Sequence, residues 1–162
     1  MLLDPSDALS PGTQGFWLRV AASVVCGGAI GLERQFRGKV AGIRTSILIC
    51  LGTEIFVALG ASFPPEHSDP SRVLGQVVTG IGFLGAGVIL ARGDRILGVT
   101  TAAVIWTLSA LGCLIGLGYL DAAYVMTLIT LLVLIGVERI DQLVDRRNAR
   151  RGSGTFMRRD GD

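Results

Sequence analysis

Along this chain the apolar residues come in long runs, and the polar ones gather between them. Five segments, at about 16–32, 43–62, 73–91, 96–118 and 120–137, carry at most two charged residues each. Their lengths suit a helix crossing a hydrocarbon core of ~30 Å, which takes ~17–25 residues. Helices satisfy their own backbone hydrogen bonds where water is absent. The pattern therefore predicts an all-α polytopic membrane protein, a bundle of five transmembrane helices. Outside the spans lie an N-terminal segment, 1–15, and a tail, 138–162. In the tail Val137, Ile140, Leu143 and Val144 keep helical spacing, with Glu138, Arg139, Asp141, Asp145 and Arg146 between them. The fifth helix is thus expected to run a few turns past the membrane, and the glycine-broken RRGSGTFMRRDGD is expected to be disordered.

Composition agrees with the pattern, since half the residues are hydrophobic and the mean hydropathy is +0.58. The first span lacks a basic segment before it and a small-residue cleavage site, so it reads as a retained helix rather than a signal peptide. A net charge of +2 conceals an asymmetry. Arg34, Arg37, Lys39, Arg44, Arg92, Arg95 and the seven arginines of the tail fall on one side of the predicted membrane, with only Arg19 and Arg72 toward the other. By the positive-inside rule the N-terminus is outside and the C-terminus cytoplasmic. The basic tail reads as a topology anchor that attracts anionic lipid, not as a nucleic-acid site.

Glycine changes the picture further. Gly80-Ile-Gly82-Phe-Leu-Gly85 spells the G-x-G-x-x-G of a dinucleotide loop, but that loop works only between a strand and a helix. Here an uncharged stretch surrounds it, and no acidic residue that could hold a ribose follows about twenty residues on. The glycines fit helix packing instead, where small residues four apart let backbones approach. Gly27 with Gly31, Gly82 with Ala86, and Gly112 with Gly116 supply such pairs. Gly75, Gly80, Gly85 and Gly87 add to the third span, which is expected at the centre of the bundle or against a symmetry mate. The other reading is a bendable helix lining a pathway.

Polar residues at membrane depth need a reason, because they are costly there. Glu54 is the one acidic residue well inside a span. A charge at a helix centre costs roughly 2.5–3.5 kcal/mol on insertion, and the Leu, Ile, Val and Phe residues of 43–62 return about as much. Its candidate partners are Arg19 and Arg72, with Gln76 and Thr79 as hydrogen-bond donors. Glu54 is either a buried ion pair or protonated acid, or a cation or proton site. Arg19 is expected to snorkel to the headgroups beside Trp17. Asp69 caps a helix that begins at Pro70. Cys26, Cys50 and Cys113 read as packing residues, His67 between Glu66 and Asp69 as a solvated loop histidine, and Arg92-Gly93-Asp94 as a tight turn.

Three blocks then carry a resemblance: GLERQFRGKVAGIRTSILICLG at 31–52, DPSRVLGQVVTGIGFLGAGVI at 69–89 and GVTTAAVIWTLSALGCLIGLGYLDAA at 98–123. They closely resemble the MgtC/SapB family of bacterial inner-membrane proteins, over roughly residues 15–140. The resemblance implies a five-helix inner-membrane protein linked to magnesium homeostasis and, in intracellular pathogens, to survival in macrophages. It also implies a regulatory role, with ATP synthase membrane subunits among the partners to expect. By motif match the residues of interest are Glu33, Arg34, Gln35, Arg44, Thr45, Asp69, Arg72, Gln76, Thr100, Thr101 and Trp106, to which the cost argument adds Glu54. The chain ends soon after the fifth helix and is expected to be the short form, without a C-terminal soluble domain. No Walker loop or aspartyl-phosphate motif occurs, so no ATPase, other enzyme or resident cofactor is expected. Two functions remain: a homo-oligomeric regulator of membrane proteins, or a cation transporter, for Mg²⁺ or proton-coupled, with its site near Glu54.

Overall fold

A computed structural model of the chain describes residues 9–63, 70–92 and 95–152. The readings placed on Glu66, His67 and Asp69, on the Gly93-Asp94 turn and on residues 153–162 lie outside these residues. The described chain forms five helices: α1 (Gln14–Phe36), α2 (Ile43–Ala61), α3 (Pro70–Gly87), α4 (Val99–Gly116) and α5 (Leu120–Gly152). Four of them, α1, α2, α4 and the Leu120–Val137 part of α5, are long and apolar enough to cross a membrane. In α3, Arg72 and Gln76 fall in the first two turns and glycine occupies five of 18 positions, which dilutes its apolar character.

Local chemistry sets the helix ends. Thr13 caps α1, its hydroxyl accepting from Phe16 N at 3.4 Å, and the Trp17 indole donates to the Pro11 carbonyl at 2.9 Å. Gly42 has no side chain to cap α2, so Gln35 of α1 supplies one, accepting from Ile43 N at 3.5 Å. The sequence pattern continued helices through 88–91 and from 96. The structure instead tightens α3 into i→i+3 bonds at Val88 and Ile89, then pairs β1 (Leu90–Arg92) with β2 (Arg95–Leu97) as an antiparallel hairpin, Leu90 opposite Leu97. Gly98 closes it at φ 90°, where an added Cβ would strike the Val88 carbonyl oxygen. Only glycine is at ease there, and α4 can start only after it.

The core corrects one expectation, for α2 and not α3 is central. α1 runs antiparallel to α2 along its Gly27 and Gly31 seam. A Cβ on Gly27 would lie 2.8 Å from Ile47 Cα, and one on Gly31 2.6 Å from Ile43 Cα. On another face α4 runs parallel to α2, where a Cβ on Gly112 would meet the Cys50 carbonyl oxygen at 2.7 Å and one on Gly116 the Glu54 carbonyl oxygen at 2.8 Å. Small-residue seams on both neighbours thus grip α2 through its backbone, the contact that substitutes for the hydrophobic effect in lipid. Buried Ala22, Cys26 and Ile30 of α1 and Leu108, Leu111 and Ile115 of α4 fill the space around it. α3 lies at the edge, touching α2 where Gly60 admits Val73 and touching α4 where Gly85 faces Ala102. Of its described residues only Ile81 and Gly85 are buried.

Leu120, Ala123 and Thr127 of α5 are buried in this first compact unit, which ends at Thr127. Residues 128–152 form a second unit, a helical stretch that is apolar as far as Val137 and charged from Glu138. At 1.5 Å per residue the 33-residue α5 is ~50 Å long, more than a ~30 Å core takes up. Over the first unit Val25, Leu48, Phe56, Phe83 and Trp106 are each more than half exposed, a surface suited to lipid.

Candidate functional site

The polar residues singled out in the sequence do not gather into one cluster. They divide among three places. The first is toward the N-terminal end of α1 and the C-terminal half of α2, where the antiparallel seam sets Arg19 across from Glu54. Arg19 is 0% and Glu54 3% exposed, so Arg19 does not snorkel to the headgroups. Its positive charge acts on the Glu54 carboxylate. A charge on either costs several kcal/mol to bury, and a nearby opposite charge lowers that cost. Gly116 brings the α4 backbone against the Glu54 carbonyl and closes the adjoining side. Next to Glu54, Thr53 Oγ1 donates to Ser109 Oγ at 3.4 Å, and one turn away Cys50 Sγ donates to the Leu108 carbonyl at 3.4 Å, tying α2 to α4.

The second place is at the opposite ends of the same helices. Arg34 Nη2 donates to Thr101 Oγ1 at 3.0 Å, joining the last turn of α1 to the first turn of α4, and both residues are buried. Glu33 pairs with Arg37 one turn on, and Gln35 caps α2. The sequence offered Glu33-Arg34-Gln35 and Thr100-Thr101 as separate blocks; the structure makes Arg34 and Thr101 partners. Thr100, Arg44 and Trp106 are exposed and stand apart.

The third is a groove of about 730 Å³ between α2 and α3, floored in part by Ser109 of α4. Arg72, Gln76 and Thr45 line it, as do Gly52 and Gly80. Glu54 is not among its lining residues. Arg72 and Gln76 therefore belong to the groove rather than to Glu54, and Thr79 donates to the Gly75 carbonyl of its own helix at 2.9 Å. The glycines of α3 also divide. Gly85 sits 3.8 Å (as a built Cβ) from Ala102, while a Cβ on Gly75, Gly80, Gly82 or Gly87 would meet nothing within 4 Å. Gly75, Thr79, Gly82 and Ala86 form one exposed small-residue stripe at helical spacing.

Among the described residues no group of three or more His, Cys, Asp and Glu is placed to hold a metal ion. Cys26, Cys50 and Cys113 are free thiols, Cys26 and Cys50 fully buried.

These features define a multi-pass helical membrane protein whose central helix is gripped by glycine seams and carries a buried acid. The MgtC family model matches residues 20–143, and the chain belongs to that family. It is 44% identical over 129 residues to "Putative magnesium transporter YhiD" of Escherichia coli strain K12, covering 75% of this chain and 60% of that protein. To "Protein MgtC" of Brucella abortus strain 2308 it is 40% identical over 134 residues, 83% of this chain and 56% of the relative. To "Protein MgtC" of Salmonella typhimurium strain LT2 it is 39% identical over 130 residues, 78% and 55%. The alignments thus span only about 55–60% of the length of these curated relatives. No solved structure matches the chain.

Proposed function

We propose that this protein is a non-catalytic regulator of other membrane proteins, acting in magnesium homeostasis from the bacterial inner membrane. Its N-terminus is outside and its C-terminus cytoplasmic, in keeping with the thirteen Lys and Arg residues assigned to one side. The observation that carries the reading is the exposed stripe of Gly75, Thr79, Gly82 and Ala86 on α3. It has the small-residue form that α1 and α4 use to grip α2, but a Cβ on Gly75 or Gly82 would meet nothing within 4 Å. A helix of a second copy, or of another membrane protein such as an ATP synthase membrane subunit, fits that stripe. The names of the relatives supply the magnesium connection.

Glu54 takes a structural part in this reading, buried inside the bundle with the buried Arg19 of α1 near it. The competing reading, cation transport through Glu54, draws on the printed name of YhiD. Cross-linking in membranes separates the two. Gly82→Leu is expected to abolish self-association or partner capture in a folded protein, while Glu54→Gln leaves capture intact. Capture that survives Gly82→Leu sinks the regulator reading. Gly85→Leu is not a fair probe, because Gly85 packs against Ala102 within the chain.

A further inference from the structure

The groove between α2 and α3 lies on the face of α3 opposite the Gly82 stripe, and the proposed function leaves it unused. Three features bear on its occupant. First, its walls are apolar along most of their length, with Leu48, Phe56, Val77 and Leu84 among them. Second, it is held open by absent side chains: a Cβ on Gly52 or on Gly80 would meet nothing within 4 Å. Third, it has one charged lining residue, the other polar ones, Gln76, Thr45, Thr53 and Ser109, being neutral. Arg72, in the first turn of α3, stands at one end, and Gln76 follows one turn deeper.

From Arg72 to Leu84 the α3 wall is ~18 Å long at 1.5 Å per residue, close to the ~15 Å of one leaflet of a ~30 Å core. With Arg72, the one charged residue of that wall, at headgroup depth, the apolar walls would lie at acyl depth. A guanidinium there suits a phosphate, which it can hold through charge-assisted hydrogen bonds, and basic pockets between membrane helices take anionic headgroups on the same principle. We propose that this groove is a binding site for one anionic phospholipid, its phosphate on Arg72 and one acyl chain laid between α2 and α3. The site stands independently of the regulator reading, which rests on the other face of α3. The lipid fills the gap beside α2 that glycine leaves, adding a third body to the direct contacts of α3 with α2 and α4.

Native mass spectrometry of the full chain in detergent micelles tests this, with dioleoyl phosphatidylglycerol and dioleoyl phosphatidylcholine as the two probes. Wild type is expected to retain one phosphatidylglycerol about fivefold more tightly than phosphatidylcholine, the effect of one basic residue near a membrane surface. Arg72→Gln is expected to level the two affinities. Gly80→Phe, and independently Gly52→Phe, fill the groove and are expected to remove retention of both. Gly82→Phe, on the opposite face, is expected to bind as wild type does, so that a failed partner stripe and a failed lipid groove give different results. Helicity by circular dichroism confirms that each variant is folded. Equal retention of the two lipids by wild type overturns the proposal, as does a preference that survives Arg72→Gln. Retention unaffected by both groove-filling variants overturns it as well. So does a dimer that both groove-filling variants break while no lipid is retained, for then a second copy occupies the groove.

Discussion

Substitution of Gly31 by alanine separates the two kinds of glycine in this chain. The new Cβ would stand 2.6 Å from Ile43 Cα, 2.9 Å from Ser46 Cβ and 3.0 Å from the Gly42 carbonyl oxygen. Carbon atoms settle at ~3.5–4.0 Å from one another, so α1 and α2 must part by about 1 Å at this level. Two of the three obstructing atoms belong to backbone, which cannot turn aside. Overpacking of this kind costs typically ~1–3 kcal/mol. Against it, alanine is the better helix former by about 1 kcal/mol. The net expectation is a loss of about 0–2 kcal/mol for Gly31→Ala. Gly27→Ala with Gly31→Ala together should lose about 1–3 kcal/mol, less than twice the clash, because a seam once parted resists the second methyl less. Gly82→Ala is the counterpart, for its Cβ would meet nothing within 4 Å and only the propensity gain remains, up to about 1 kcal/mol of stabilisation. Unfolding by dodecyl sulfate in mixed micelles at low protein concentration, followed by helical circular dichroism, reads all three. Opposite signs for the double variant and Gly82→Ala are expected. If the double variant proves as stable as wild type, the account of α2 as a backbone-gripped central helix is wrong.

The same assay checks three further expectations. Arg19→Leu leaves the buried Glu54 without its nearby positive charge and is expected to lose about 3–5 kcal/mol, most of it recovered in Arg19→Leu with Glu54→Leu. Thr101→Val leaves Arg34 a buried donor without its acceptor and should lose about 1–3 kcal/mol, whereas Thr101→Ser, which keeps the hydroxyl, should match wild type. Gly98→Ala forces a left-handed conformation worth about 1–2 kcal/mol on a side chain that also strikes the Val88 carbonyl, so it should lose at least that much.

Much of the fold was legible in hydropathy, because lipid imposes a simple rule on length and charge. The five helices and the glycine pairs of α1 and α4 follow from residue type and spacing, whereas Arg19, one of two partners offered for Glu54 and also expected at the headgroups, is placed only by the fold. The choice of central helix did not. α3 has the most conspicuous glycines, but a glycine seam shows that a helix approaches something and not what it approaches. The seams of Gly27, Gly31, Gly112 and Gly116 all point at α2, whose own face at the contact is ordinary side chains and backbone. Arg34 was legible as a motif residue and a topology signal, yet its burial depends on Thr101, 67 positions away. The hairpin at 90–97 was hidden because short apolar runs read alike as strand or helix end. The positive φ of Gly98 is what stops the helix there. The groove was hidden for a related reason, since Gly52 and Gly80 look like packing glycines until their surroundings prove empty.

The central claim is that Glu54 is a structural residue in a regulator and not an ion site in a transporter. Magnesium entry into liposomes holding the purified, folded protein, read with an enclosed dye, tests it most directly. The account predicts that wild type, Glu54→Gln and empty vesicles admit magnesium at the same rate. Saturable entry through wild type that Glu54→Gln abolishes, with the variant shown to be folded and inserted, would contradict it and make Glu54 the transport site.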